Sequence, residues 1–328
     1  MVWSPRRFVS CLLVAVASFA ADQVTSQEDR QPPALPRRLT PYDAAVDNYI
    51  NRRVPKISHG SFAADGVHPW QVSLSASSVA EPKDGHFCGA TIHNERWLLT
   101  AAHCLFKCGA PTDEVCRKDL NKFVALEPDQ VVVVAGTNQL REGVVRLNIA
   151  RAIVHNGFSM GTMNNDIALI ELRDPLKFNE KVKAIPLLQP AEESEVLKVP
   201  RNLTITGWGA TTDFKELHRI ASRKLQEGTA KYVTNTSCAD RLTKGRFPTT
   251  ANMICGKAPD AIGDACGGDS GGPAIADAKM PNARQVGIIS WGGRCGDENF
   301  GRYTRVANYV AWVKQCTSSP DSCPPWKR

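Results

Sequence analysis

Short apolar or alternating stretches recur along the chain from Trp70 onward, each four to six residues long. Gly, Pro and Asn punctuate them, which is typical of strands joined by turns. The segments cover residues 70–74, 131–135, 144–149, 167–172, 203–206 and 285–290. This pattern predicts an all-β protein, a barrel or sandwich built from many short strands.

Helical periodicity occurs near the end of the chain. Val306, Tyr309, Val310 and Val313 are spaced i, i+3, i+4 and i+7, so they share one face of an amphipathic helix. We predict a C-terminal helix there and no other long helix.

The first twenty residues have the pattern of a secretory signal peptide. Arg6 and Arg7 precede an apolar run over residues 8–17, and small residues follow up to Ala20. The run is too short to span a membrane, and no later apolar run approaches eighteen residues. We predict a signal peptide over residues 1–20 and a secreted protein, extracellular or periplasmic, without a membrane partner. A buried first helix is the alternative.

Residues 21–56 are polar and rich in Pro, Asp and Arg. The prolines of residues 31–38 prevent a helix there, and the whole stretch offers few apolar residues to bury. A linker and a pro-segment are both compatible with this composition. Basic cleavage candidates occur at Arg37, Arg38, Arg52, Arg53 and Lys56.

Charge and cysteine content narrow the functional classes. Of 40 basic and 33 acidic side chains, 32 and 28 lie beyond residue 56, a surplus of only +4. This charge is too weak and scattered for a nucleic-acid partner. Eleven cysteines indicate an oxidising compartment, and ten remain for five disulfides once Cys11 leaves with the signal peptide. No CxxC pair or HExxH motif occurs, so we expect no metal and no cofactor.

Three segments carry residue types suited to nucleophilic catalysis. His103 lies in TAAHC, Asp166 in NNDIAL, and Ser270 in the glycine-rich GDACGGDSGGP. A serine hydroxyl is a weak nucleophile at neutral pH and needs a base, and histidine titrates near neutrality. Each residue alone also has a structural explanation, as a core histidine, a turn aspartate or a loop serine. The combination in this order is what indicates catalysis.

With these motifs the sequence resembles the trypsin-like serine endopeptidases of the chymotrypsin family, from residue 57 to about 313. Further matches are PWQVSL at 69–74, TGWG at 206–209, SWG at 290–292 and YTRV at 303–306. The resemblance implies two packed six-stranded antiparallel β-barrels with a C-terminal helix. The peptidase domain would cover residues 57–328, with the boundary between the barrels near 186–200.

The resemblance also implies the roles of the central residues. His103, Asp166 and Ser270 would form the catalytic triad. The backbone N–H groups of Gly268 and Ser270 would form the oxyanion hole.

The sequence also resembles the family at the positions that bind substrate. Asp264 would form the acidic floor of the primary pocket, and Gly292 and Gly301 its small walls. Ser290, Trp291 and Gly292 would pair with the substrate backbone as an added strand. Because Arg or Lys relieves the cost of a buried carboxylate, we expect cleavage of proteins or peptides after these residues. A solvated loop position for Asp264 is the alternative.

Activation follows from the same resemblance. Cleavage after Lys56 would free an ammonium on Ile57, which would insert and pair with Asp269. Residues 21–56 would then be a pro-segment, and the precursor would be a zymogen activated by itself or by a similar protease. We expect a monomer, with protein protease inhibitors as further partners.

The resemblance pairs six of the cysteines: Cys88 with Cys104, Cys238 with Cys255, and Cys266 with Cys295. Four others remain, and they allow three connectivities. The local pairs among them are Cys108–Cys116 and Cys316–Cys323.

Some features depart from the family pattern. His59 stands where relatives carry Gly, three residues into the expected mature chain. Arg294 also replaces a usual Gly, and its guanidinium either swings toward Asp264 or points to solvent. The loops 75–86 and 105–129 are longer than in a minimal relative and flank the His103 side. A self-restrained protease of narrow specificity and a non-catalytic binding protein are therefore the alternatives to an ordinary protease.

Overall fold

The computed structural model describes residues 40–50, 61–110, 113–209, 221–238, 248–257, 267–292 and 300–323. The strands are β1 (Ser61–Phe62), β2 (Gln71–Ala76), β3 (His86–Ile92), β4 (Trp97–Thr100), β5 (Phe106–Cys108), β6 (Phe123–Ala125), β7 (Val131–Ala135), β8 (Arg146–Val154), β9 (Ala168–Leu172), β10 (Arg201–Gly207), β11 (Gln226–Val233), β12 (Met253–Lys257), β13 (Pro273–Ala276), β14 (Arg284–Trp291) and β15 (Phe300–Arg305). The α-helices are α1 (Pro41–Ile50), α2 (Pro82–Gly85), α3 (Asp113–Lys118), α4 (Glu193–Val196), α5 (Asn235–Cys238) and α6 (Val310–Ser318). Short 3-10 helices cover Ala102–Leu105, Leu120–Lys122, Pro128–Gln130, Pro190–Glu192, Val306–Tyr309 and Pro320–Ser322.

The N-terminal barrel closes in the order β2-β3-β4-β9-β8-β7, with antiparallel neighbours throughout. Strands β2 and β3 are buried along their whole length because both of their faces meet protein. Leu74 of β2 lies opposite Cys88 of β3 on one side and Val133 of β7 on the other. All three of these residues are fully buried and belong to one hydrophobic core.

The C-terminal barrel runs β11-β10-β13-β14-β15-β12 and closes because β12 also pairs with β11. The short strand β1 pairs through Ser61 and Phe62 with the first two residues of β11, which β12 does not reach. Leu203, Val286 and Tyr303 lie in its core.

Two buried hydrogen bonds join the barrels. The Thr91 hydroxyl of β3 donates to Oε1 of Gln285 in β14 at 2.8 Å. The Thr206 hydroxyl of β10 donates to Oε1 of Gln71 in β2 at 2.6 Å. Because a buried polar group is costly unless it is paired, these bonds favour one relative placement of the two barrels.

This architecture confirms the predicted fold. Every predicted strand segment overlaps an observed strand, and residues 131–135 match β7 end to end. The C-terminal helix is present, with Val306, Tyr309 and Val313 buried, although its first turn is 3-10 and α6 begins at Val310.

One prediction about the helices is wrong. The sequence predicts no long helix before the C-terminal one, yet α1 spans 10 residues within 21–56, one more than α6, and buries Tyr42 and Ala45. Among the described residues, no helix is long and apolar enough to cross a membrane.

Disulfides link four pairs of the described cysteines, and all four pairs are among the five expected. Cys88–Cys104 joins β3 to the 3-10 helix that follows β4. The expected fifth pair, Cys266–Cys295, lies outside the described residues. The other three pairs present are Cys108–Cys116, Cys238–Cys255 and Cys316–Cys323.

Candidate active site

His103 and Asp166 form a buried pair because the strands that carry them are neighbours. Antiparallel β4 and β9 place Thr100 opposite Ala168, so the turn after β4 meets the turn before β9. Nδ1 of His103 lies 2.7 Å from Oδ2 of Asp166. The backbone N–H of His103 also donates to Oδ1 of Asp166 at 2.8 Å. Two contacts to one carboxylate fix both the position and the orientation of the imidazole.

Asp166 is fully buried, and the surrounding donors compensate for its lost hydration. The Ser290 hydroxyl donates to Oδ2 at 2.5 Å, next to the contact with His103. The Thr304 hydroxyl donates to the Asp166 carbonyl at 2.7 Å. Ser290 and Thr304 belong to β14 and β15, so the C-terminal barrel helps to hold an aspartate that belongs to the N-terminal barrel.

The two asparagines before the buried carboxylate hold its turn in place. Asn165 has φ 55°, a left-handed conformation that asparagine tolerates better than most residues. Its Oδ1 accepts hydrogen bonds from the Tyr309 hydroxyl at 2.8 Å and from Nδ2 of Asn252 at 3.0 Å. Oδ1 of Asn164 accepts from the Thr250 hydroxyl at 2.8 Å. Sequence reasoning used these asparagines only as part of a motif and missed this network.

Backbone hydrogen bonds fix the loop that carries Ser270. The Ser270 carbonyl accepts from the Gly89 N–H at 2.7 Å, and the Gly271 N–H donates to the Ile289 carbonyl at 2.8 Å. Gly271 has φ 80°, and a Cβ there would collide with the Gly89 carbonyl and the Thr100 hydroxyl. Ser270 is therefore presented on a turn that requires glycine at the next position.

This turn brings Ser270 to the same end of the barrel as His103. A Cβ on Gly271 would lie 3.2 Å from Sγ of Cys104. The same sulfur lies 3.9 Å from Nε2 of His103. Within the described residues there is no hydrogen bond between the Ser270 hydroxyl and His103, so this bond of the expected triad is not formed. Such bonds are often long in an unliganded site and tighten when substrate binds.

A buried histidine supports the residues before Ser270. Nε2 of His86 lies 3.0 Å from the Gly268 carbonyl, and Nδ1 lies 2.8 Å from the Ser73 hydroxyl. Burial lowers the pKa of His86 to about 4, so the ring is neutral near pH 7. The neutral ring then donates to Gly268 through one nitrogen and accepts from Ser73 through the other. Gly268 itself has φ 103°, which favours glycine.

The glycines of the TGWG motif make room for Asp269. The Gly209 N–H donates to Oδ1 of Asp269 at 2.7 Å. A Cβ on either Gly207 or Gly209 would collide with the Asp269 carboxylate. Ile57, the expected partner of Asp269 after activation, lies outside the described residues, as does Lys56.

The two glycines assigned to the pocket walls lie side by side. A Cβ on Gly292 would lie 3.5 Å from Cα of Gly301, and a Cβ on Gly301 would lie 2.9 Å from the Tyr303 hydroxyl. A side chain at Gly301 would therefore collide with the Tyr303 ring, whereas one at Gly292 would begin in ordinary contact with Gly301. Asp264 and Arg294, the two charged residues expected at this pocket, lie outside the described residues.

Arg302 packs against the strand to which substrate binding is assigned, a contact that the sequence analysis missed. Its guanidinium stacks on the Trp291 ring at 4.4 Å from the centroid. It also donates to the Cys238 carbonyl at 2.7 Å and to the Phe300 carbonyl at 3.0 Å. The one signal in the sequence is an arginine within the strand segment at 300–305, and in the fold that side chain is only 2% exposed.

One cluster contains residue types that often bind metals, but its sulfur atoms are not available as ligands. Cys88, His103 and Cys104 bring their ligand atoms within 4.8 Å of one another. The two sulfurs are bonded to each other, so neither is available as the thiolate that a metal would need.

Comparisons with known proteins agree with this geometry. The family model described as Trypsin matches residues 57–313. Trypsin of Phaedon cochleariae is 32% identical over 254 residues, which cover 76% of this chain and 84% of that protein. Transmembrane protease serine 9 of Rattus norvegicus is 32% identical over 275 residues, covering 83% of this chain and 23% of that protein. Transmembrane protease serine 11C of Mus musculus is 31% identical over 271 residues, covering 82% of this chain and 55% of that protein.

The chain thus spans about a quarter and about half of the length of the two transmembrane proteases that it resembles. It spans most of the beetle trypsin. The family match covers both barrels and the segments of His103, Asp166 and Ser270. The chain therefore belongs to the trypsin family of serine endopeptidases, hydrolases with the chymotrypsin fold.

Proposed function

We propose that this chain is a secreted serine endopeptidase, made as a zymogen, that cleaves peptide bonds after Arg or Lys. The observation that carries the proposal is the buried Asp166, whose carboxylate accepts hydrogen bonds from both His103 and Ser290. The Ser270 turn packs at the same end of the barrel. This arrangement is suited to moving a proton from a serine hydroxyl to an imidazole.

In the proposed reaction Ser270 is the nucleophile and His103 the base. Oγ of Ser270 bonds to the substrate carbonyl carbon while Nε2 of His103 takes the hydroxyl proton. The C–N bond then breaks, and the same proton passes to the leaving amine. Water repeats the sequence on the acyl-enzyme and releases the new carboxylic acid together with free Ser270. Asp166 keeps the proton on Nδ1 of His103 and stabilises the imidazolium.

The developing negative charge on the carbonyl oxygen is assigned to the backbone N–H groups of Gly268 and Ser270. Removing one such donor typically slows catalysis by about 10²–10³. The positive φ of Gly268 and the contact of its carbonyl with His86 support a fixed orientation of this loop.

Cleavage after Arg or Lys rests on Asp264, which lies six positions before Ser270 in the sequence. The adjacent Gly292 and Gly301 are compatible with this assignment, because neither carries a side chain that could obstruct a long substrate side chain. A carboxylate at the end of that space would pair with a guanidinium or an ammonium.

Activation is proposed to follow cleavage after Lys56. The match to the trypsin family begins at residue 57, which supports a mature chain that starts at Ile57. Asp269 would pair with the new ammonium, and its carboxylate already meets the Gly209 N–H. Residues 1–20 would act as the signal peptide and 21–56 as the pro-segment.

Hydrolysis of short fluorogenic peptides ending in Arg, Lys, Phe or Ala tests the proposal, with protein cut after Lys56 and a Ser270→Ala control. We expect fast turnover of the Arg and Lys peptides and none in the control. Preference for Phe would contradict the role of Asp264. No turnover by protein shown to start at Ile57 would favour restraint by Arg294 or a binding role.

Lys56→Gln tests the zymogen scheme separately. The variant should stay uncut at this position and remain inactive on the Arg peptide, because no ammonium forms on Ile57. Full activity of the uncut variant would refute the scheme. N-terminal sequencing checks that it is uncut.

A further inference from the structure

Helix α1 precedes the stretch that matches the trypsin family, yet it packs on the N-terminal barrel. It lies against α2, β2, β3 and β5, and against the 3-10 helix Ala102–Leu105 that carries His103. Its buried residues belong to the same hydrophobic core as the barrel strands. A segment of the proposed pro-segment thus covers a surface of the catalytic domain.

The apolar face of α1 accounts for this contact. Tyr42, Ala45 and Val46 are spaced i, i+3 and i+4, so they lie on one side of the helix. Tyr42 and Ala45 are 8% and 5% exposed, whereas Tyr49 near the helix end is 44% exposed. The Tyr42 ring meets the Phe87 ring edge-on, with 5.5 Å between the centroids. Such aromatic contacts add to the stabilisation from burial alone.

A polar contact fixes the position of α1 along the barrel. Oδ2 of Asp43 accepts a hydrogen bond from the backbone N–H of Cys108 at 2.8 Å. The Thr40 hydroxyl donates to the same oxygen at 2.6 Å and accepts from the Asp43 N–H at 3.1 Å, which caps the helix. Cys108 ends β5, which directly follows the turn that carries His103. The start of α1 is therefore tied to the strand next to the proposed base.

Once residues 1–20 are removed as proposed, the fragment that carries α1 has no cysteine with which to form a disulfide to the domain. Cys11 and Cys88 are consecutive cysteines in the sequence, so no cysteine occurs between them. If the chain is cut before Ile57, the fragment that contains α1 is held by non-covalent contacts alone.

We propose that the surface formed by Phe87, α2 and β5 is a lasting binding site for α1, and that the mature enzyme is a non-covalent two-chain protein. The cut itself rests on the proposed function, but the binding site does not. Release of α1 would break the ring contact between Tyr42 and Phe87. It would also remove the Asp43 carboxylate that accepts a hydrogen bond from the Cys108 N–H. Both changes disfavour dissociation.

The test uses a chain in which residues 51–56 are replaced by the recognition sequence of a cysteine protease of unrelated specificity. Ser270→Ala is included, so the result does not depend on whether the chain is active. After the cut, the protein is run on gel filtration at about 10 μM, so that a complex with micromolar affinity can stay together. Intact-mass measurement then identifies the pieces in each peak. We expect the fragment that carries α1 to elute with the domain. Elution of the two pieces apart would overturn the proposal, whatever the outcome of the activity assays.

Two tyrosines of α1 provide a matched pair of variants. Tyr42→Ala should weaken fragment binding on the order of 100-fold, as expected for loss of a buried aromatic side chain. Tyr49→Ala should change binding little because that ring is largely exposed. Equal binding by both variants would contradict the assigned interface. If Tyr42→Ala does not fold, Asp43→Ala replaces it and should speed amide exchange at Cys108, with Tyr49→Ala again as control.

Discussion

At the residue scale, the candidate site depends on the hydrogen-bond donors that surround the buried Asp166. Two of its hydrogen bonds come from His103 and a third from Ser290. A hydrogen bond to a charged group contributes about 1.5–3 kcal/mol, so each of these donors has a measurable effect. Ser290 is notable because it belongs to the strand assigned to substrate binding and also contacts the carboxylate.

Replacing Ser290 with Ala tests this double role. The carboxylate would lose one donor in a buried position, so we expect the free energy of unfolding to fall by about 1.5–3 kcal/mol. We also expect kcat/KM on an Arg peptide to fall, by up to about 100-fold, because the His103–Asp166 pair is less well fixed. Ser318→Ala, at an exposed position of α6, is the control and should change neither quantity. Wild-type stability of Ser290→Ala would contradict the argument.

His86 predicts a pH dependence of stability. Its pKa is about 4 in the fold, and an unfolded histidine titrates near 6.5. As the pH falls, the unfolded chain therefore takes up this proton first. The contribution of His86 to stability should therefore fall from about pH 6.5 to pH 4 and stay constant below that, a loss on the order of 3 kcal/mol.

Denaturant titrations at pH 7 and pH 4 measure this effect. His86→Gln lacks the titrating group, so its stability should change less between the two pH values than that of the wild type. The other histidines are the same in both proteins, so the difference isolates His86. An equal loss in the two proteins would show that the burial of His86 carries no such penalty.

At the element scale, the Ser270 turn and a remote turn provide a matched comparison of two glycines. Gly271 and Gly143 have φ of 80° and 78°. A Cβ on Gly143 would meet nothing within 4 Å, whereas a Cβ on Gly271 would collide with Gly89 and Thr100. Both positions therefore require a left-handed backbone, but only Gly143 has room for a side chain.

We expect Gly143→Ala to cost about 1–2 kcal/mol, the usual penalty for a left-handed alanine, and to leave activity intact. Gly271→Ala should cost more and abolish turnover of the Arg peptide, because the turn that presents Ser270 must move. Thermal unfolding and peptide hydrolysis on both variants provide the measurements. Similar behaviour of the two variants would mean that the collision is relieved without moving Ser270.

The elements also show what could be predicted from the sequence. Strands such as β7 follow directly from apolar periodicity, and the motifs identify His103, Asp166 and Ser270 because their residue types and order are specific. Helix α1 was missed for two reasons. Its buried face contains few apolar residues, and the segment around it is polar. The Arg302 contact with Trp291 was missed because it joins residues that only strand pairing brings together.

At the scale of the whole molecule, the two barrels depend on each other. The Thr91–Gln285 and Thr206–Gln71 hydrogen bonds cross between them, and Asp166 of one barrel is held by residues of the other. We therefore expect the described barrels to unfold as one cooperative unit.

Pulsed hydrogen exchange with mass spectrometry checks this expectation, because peptides from β3 and β14 report on different barrels. Both should show the same denaturant midpoint. Gln285→Leu removes the 2.8 Å acceptor of Thr91 and leaves its hydroxyl only the Leu99 carbonyl at 3.4 Å. It should therefore lower both midpoints together, by about 1–3 kcal/mol in unfolding free energy. A shift confined to the β14 peptides would show that the barrels unfold independently.

The disulfide Cys88–Cys104 makes the candidate site dependent on the redox conditions around it. It joins β3, whose Gly89 holds the Ser270 carbonyl, to the turn that carries His103. In a reducing cytosol this link would not persist, and the turns that carry Ser270 and His103 would lose a shared support. If the chain is the secreted protease proposed above, a copy retained in the cytosol would therefore cleave its substrates poorly.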